Sequence, residues 1–107
     1  MTPEGKVKRI IKQILDKYKP TVYYYMPVPG GYGMPSLDYI GCVGGQSFAI
    51  EAKRPGAKAT SRQRATIDAM VLAGAQVFEI DGAPEGLAAL DAYLGDNGRR
   101  QRDTEIA

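Results

Sequence analysis

The sequence predicts a single α/β (α+β) domain, a mixed sheet flanked by helices. Three observations predict it. The chain has 107 residues, a length suited to one hydrophobic core. Hydrophobic residues make up 44% of it and charged residues 24%, which is ordinary globular usage. The apolar periodicity switches between helical and strand spacing along the chain. The order it gives is helix, three strands, helix, strand, helix.

Each element has a local cause. Thr2-Pro3 places a capping hydroxyl before a proline suited to the first helical turn. Val7, Ile10, Ile11, Ile14, Leu15 and Tyr18 then recur at helical spacing with basic residues between them, a helix over 3–18. Pro20 ends it. Thr21 to Met26 is β-branched and aromatic, a strand. Residues 27–35 carry three prolines and three glycines, so they form a loop, either a plain connection or a flap over a site. Leu37 to Val43 reads as a second strand and Gln46 to Lys53 as a third, joined by the tight-turn pair Gly44-Gly45. Residues 54–59 are a loop. Thr60 or Ser61 caps a helix that runs to about Ala73, with Gly74 as its stop. Ala75 to Ile80 is the fourth strand. Asp81-Gly82 is a turn, and Pro84 starts a short helix carrying Leu87, Leu90 and Leu94. The polar segment from Gly95 onward is expected to fray, so the domain spans 1–94 and a charged tail spans 95–107.

Composition removes several chemistries. There is no histidine and one cysteine, Cys42. That excludes the usual Cys/His zinc site and both Ser-His-Asp and Cys-His catalysis. No apolar run approaches the roughly 20 residues that cross a bilayer. The amphipathic N-terminus lacks the apolar core of a secretory signal. A cytoplasmic location without membrane contact is expected. The net charge of +2 hides an asymmetry: residues 1–64 hold eleven Lys/Arg and four Asp/Glu, whereas residues 65–107 hold three and eight. A basic half suits a polyanion such as nucleic acid. It suits a solvated helix face equally well.

The third strand is the informative one. In Phe48-Ala49-Ile50-Glu51-Ala52-Lys53, alternation puts Phe48, Ile50 and Ala52 on a core face. Glu51 and Lys53 share the other face, about 6–7 Å apart. An ordinary surface ion pair would satisfy that spacing alone. Folding back at Gly44-Gly45 pairs the second and third strands antiparallel and lets Asp38 approach Glu51. Two carboxylates about 4–5 Å apart repel unless a cation lies between them. Oxygen ligands favour Mg²⁺ or Mn²⁺, and Lys53 beside such an ion can position or help deprotonate the attacking water, or offset charge on a phosphate. On the next helix, Gln63 begins the stripe Ile67, Met70, Gly74. On the first, Glu4 begins the stripe Val7, Ile11; a first-turn acid also complements the helix dipole.

Taken together, the segments Gly33-Met34-Pro35-Ser36-Leu37-Asp38 and Phe48-Ala49-Ile50-Glu51-Ala52-Lys53, with Gln63, resemble the PD-(D/E)xK nuclease superfamily. Within it the chain is similar to the stand-alone VRR-NUC domains of bacteriophages and bacteria, from Glu4 to about Gly82. One departure is that Pro35 stands three positions before Asp38, where the family has proline directly before the acid. The resemblance implies a restriction-endonuclease-like core and metal-dependent hydrolysis of DNA phosphodiesters. It makes Asp38 and Glu51 metal ligands for Mg²⁺ or Mn²⁺, with the Ala52 carbonyl completing the shell. Lys53 becomes the catalytic lysine. Gln63 and Glu4 match further catalytic positions. It also implies a homodimer that cuts branched DNA such as Holliday junctions. Lys6, Lys8, Arg9, Lys12, Arg54, Lys58, Arg62 and Arg64 would hold the DNA backbone without reading sequence. A strand rich in tyrosine (Tyr23, Tyr24, Tyr25) fits a dimer interface or core and edge packing. Two other readings stay open: a non-catalytic nucleic-acid-binding module, and a protein whose basic helix docks on an acidic partner.

Overall fold

The computed structural model describes residues 1–28 and 35–106, with side chains as far as Arg99. Seven elements follow the expected order: α1 (Pro3–Lys17), β1 (Val22–Tyr25), β2 (Tyr39–Val43), β3 (Gln46–Ala52), α2 (Ser61–Leu72), β4 (Gln76–Ile80) and α3 (Pro84–Ile106). The sheet is mixed, in the order β1-β2-β3-β4. β1, β2 and β3 form an antiparallel meander, and β4 lies parallel to β3 after the α2 crossover. The predicted α/β fold class therefore holds.

Strand alternation divides the sheet into two unequal faces. One face sends Tyr39, Val43, Phe48, Ile50, Ala52 and Ile80 under α1 and α3, where Val7, Ile11, Leu15, Leu90 and Leu94 complete the main core. The opposite face carries a smaller cluster under α2, formed by Leu37, Ala49 and Ile67 with Ile40, Met70 and Val77 at its margin. The site described below lies at the end of this second, thinner layer.

The β2–β3 turn sets the register of the whole meander. Gly44 and Gly45 have φ of +58° and +79°, the paired left-handed residues of a two-residue hairpin. Gly44 is also pressed against α3: a Cβ there would lie 2.2 Å from the Asn97 carbonyl oxygen.

That contact belongs to the part of the fold that differs from expectation. Local sequence signals end the third helix near Leu94; in the structure it continues to Ile106, and Asn97 is buried. The glycines that suggest a break are packing positions. A Cβ at Gly98 would lie 2.8 Å from the Thr21 hydroxyl, and one at Gly95 would lie 3.3 Å from the Tyr18 hydroxyl. Their absence of side chain lets α3 run close over the end of α1. Asn97 satisfies its amide on the Tyr93 carbonyl at 2.8 Å. The division at 94/95 is therefore not an element boundary. The question of a flap, and Gly33 and Met34 of the motif, fall outside the described residues.

Candidate functional site

The hairpin register brings the two acids together. Tyr39 pairs with Ile50, so Asp38, one residue before β2, stands opposite Glu51. The Ala52 N–H donates to Asp38 Oδ2 at 2.8 Å, which extends the ladder through a side chain. The Ala52 side chain itself goes into the main core. The Lys53 N–H donates to the Ile80 carbonyl at 2.8 Å. The backbone that follows Glu51 is thus fixed by hydrogen bonds.

Gln63 connects the acid to the amine. Its Nε2 donates to Glu51 Oε2 at 3.1 Å, and its Oε1 accepts from the Lys53 ammonium. The same Oε1 accepts from the Thr60 N–H at 3.0 Å, while the Gln63 N–H donates to Thr60 Oγ1 at 3.2 Å. This is a capping box, which satisfies two helix-end donors at once. The α2 N-terminus therefore orients the Gln63 amide toward Glu51. The Thr60-x-x-Gln63 spacing is the sequence signal for this arrangement. Thr60→Ala is expected to cost about 1 kcal/mol of stability and to loosen Gln63, read as a lower urea midpoint.

Glu4 joins through Lys8. The Lys8 ammonium lies 3.6 Å from Asp38 Oδ1 and 3.7 Å from Glu4 Oε2. As a basic residue Lys8 is expected on the DNA backbone, yet it faces the acids. The Glu4/Lys8 spacing of four residues on one helix is the signal that could have shown it.

Electrostatics single out Glu51. Only 3% of its surface is exposed. Burial, then the facing Asp38 carboxylate, pushes its carboxyl up to about 7; Lys53 opposes the shift and Glu4 adds to it. A buried acid held this high is short of positive charge. Two carboxylates offering hard oxygens are what Mg²⁺ or Mn²⁺ uses, the remaining shell being water or substrate phosphate. Among the described residues, no group of three or more His, Cys, Asp or Glu side chains gathers as a metal cage. The fit is to a two-carboxylate site.

The remaining basic candidates separate into two sets. Lys12 is held by Asp16 at 2.6 Å, and Arg64 binds both carboxylate oxygens of Glu79 at 2.7 and 2.8 Å. Lys6, Arg9, Arg54, Lys58 and Arg62 form no ion pair among the described residues, and all but Lys6 and Arg9 lie between β3 and the first turn of α2. Lys53, Lys58 and Arg64 line a cavity of about 320 Å³ beside Glu79 and Asp81. The three tyrosines of β1 also separate. Tyr24 packs on Tyr39 with ring centres 6.1 Å apart and donates to Asp16 Oδ1 at 2.6 Å, while Tyr23 and Tyr25 are exposed. Comparison with known proteins adds no relative, since no family model, curated protein or solved structure matches the chain.

Proposed function

We propose that the chain is a Mg²⁺- or Mn²⁺-dependent deoxyribonuclease that hydrolyses phosphodiester bonds of branched DNA in the cytoplasm. The observation that carries this is the convergence of Asp38, Glu51 and Lys53: Gln63 bonds both Glu51 and Lys53, and the Ala52 N–H holds Asp38. A structural ion pair would not require Glu51 to be buried against a second carboxylate. Resemblance to the PD-(D/E)xK pattern points the same way.

In this reading Asp38 and Glu51 hold the divalent cation. When bound, that ion polarises the phosphoryl oxygen and makes water a stronger acid. Gln63 keeps Glu51 aimed at the site. The Lys53 ammonium sits where it can offset negative charge growing on the phosphate oxygens. The cations Arg54, Lys58 and Arg62 position the strand through its phosphates. One chain offers one such site, and paired cuts across a junction need two, which a two-fold homodimer supplies. No helix among the described residues is long and apolar enough to cross a membrane.

The test is a gel assay on a labelled four-way junction, a linear duplex and an RNA of matching sequence, with Mn²⁺, Mg²⁺ or EDTA. Metal-dependent products from the junction are expected. Salt-sensitive binding with no product under any metal would support the alternative, a non-catalytic nucleic-acid-binding module.

A further inference from the structure

The sheet face that carries Glu51 is only half covered. α2 lies over β3 and β4, where Ala49 is buried and Val77 half-buried. Across β1 and β2 no described helix covers the same face. Alternation sends Val22 and Tyr24 to the main core and Tyr23 and Tyr25 to the open side, where they are 67% and 50% exposed. Their register partners are Cys42 and Ile40, one exposed and the other half-buried. Among the described residues, no acid interrupts this strip.

The strip adjoins the site. Tyr25, Ile40 and Ala49 form one cross-strand row, and Asp38 with Glu51 occupies the next. The step between rows is about 7 Å and each strand spacing about 5 Å, so Tyr25 lies roughly 12 Å from Glu51. Tyr23 and Tyr25 are themselves about 7 Å apart, about twice the ~3.4 Å rise of stacked nucleotides. A base can enter between the rings, or successive bases of an extended strand can lie on each in turn. Arg54, Lys58 and Arg62, which form no ion pair among the described residues, lie on the connection that follows β3 and in the first turn of α2, at the Glu51 end of the sheet.

We propose that Tyr23 and Tyr25 form a stacking platform for unpaired bases of a nucleic-acid strand whose phosphates reach those cations. The site then favours substrates with a single-stranded segment beside the bond to be cut. This rests on the nuclease reading for its link to cleavage; the binding of single strands stands apart from it. Flat rings with polar tips suit base stacking, which tolerates any sequence. The few residues of this strip fall well short of the roughly 20–30 per side that a stable protein interface uses.

The experiment compares wild type with Y23L/Y25L and Y23F/Y25F, in EDTA to prevent cleavage. Fluorescence anisotropy reports binding of a labelled oligo-dT and a labelled duplex, and size-exclusion chromatography reports oligomeric state. The leucine variant is expected to bind oligo-dT roughly 10- to 100-fold more weakly, with duplex binding changed less than about threefold. The phenylalanine variant should match wild type, because the rings remain. If the double leucine variant loses its fold, Y23L alone carries the test at the more exposed position. Wild-type oligo-dT binding by the leucine variant, equal losses on both DNAs, or conversion of a dimer to a monomer would each overturn the proposal. The last would make the face a contact with a second copy. Ring-dependent oligo-dT binding without metal-dependent cleavage would uphold the platform and defeat the nuclease reading.

Discussion

Asp38→Asn and Glu51→Gln are each expected to reduce metal-dependent cleavage of a DNA junction by roughly 10³-fold, while leaving the fold intact. Under the proposed function, either change leaves one carboxylate of the two that would hold the divalent cation (a loss of several kcal/mol in the transition state). Both variants keep the local hydrogen bonds. In Asp38→Asn the new amide oxygen can still accept from the Ala52 N–H, as the Asp38 carboxylate does at 2.8 Å. In Glu51→Gln the new amide oxygen can still accept from Gln63 Nε2, as the Glu51 carboxylate does at 3.1 Å. Lys53→Met removes the amine and is expected to lower the rate without abolishing metal binding. Single-turnover rates, with circular dichroism and urea midpoints as fold controls, check all three. Full activity in the Asp38 variant would remove the central pair from the chemistry. Full activity in the Lys53 variant would leave the acids without their amine partner.

Much of this site was legible in the sequence because a two-residue turn leaves no freedom of register. Once Gly44-Gly45 is the loop, Val43 faces Gln46, and counting back along both strands sets Asp38 against Glu51. Gln63 was legible from its place at the start of the Ile67/Met70 stripe. What periodicity does not carry is the partner of a surface charge. Arg64 lies on α2 and Glu79 on β4, and only the parallel β3–β4 pairing brings them together. Lys8 turns toward Asp38 for the same kind of reason: α1 packs across the sheet, and the Tyr39 hydroxyl donates to the Lys8 carbonyl at 3.0 Å. The length of α3 was hidden because glycine reads locally as a helix breaker. At Gly95 and Gly98 the cost of glycine is offset by close packing against Tyr18 and Thr21, a tertiary effect with no local signature.

The metal-free protein is expected to lose stability as the pH rises from about 4.5 to about 7, by up to about 3 kcal/mol. The sign follows from Glu51. Its carboxyl is raised to about 7 in the folded chain, from an ordinary value of 4.5. Between those values the folded state holds a proton that the unfolded chain has released, so raising the pH favours unfolding. The stability tied to that proton is fully present below about 4.5 and gone above about 7. Asp16 and Asp91 work in a separate window. Lys12 holds the first and Lys17 the second below the usual carboxylate range, so their stability is lost only in acid. Two controls isolate Glu51. Glu51→Gln has no proton to release, so its midpoint should hold level from about pH 5 to about pH 8 and exceed that of wild type at the upper end. Mn²⁺ favours the ionised pair, so it should stabilise wild type more at about pH 8 than at about pH 5, and Glu51→Gln weakly at both. Urea midpoints at the two pH values, in EDTA and in Mn²⁺, read all of this directly. Parallel pH profiles for wild type and Glu51→Gln in EDTA would mean that the buried carboxyl ionises freely. The facing acids would then have no unmet need for a cation, and the physical reason for placing a metal between them would be gone.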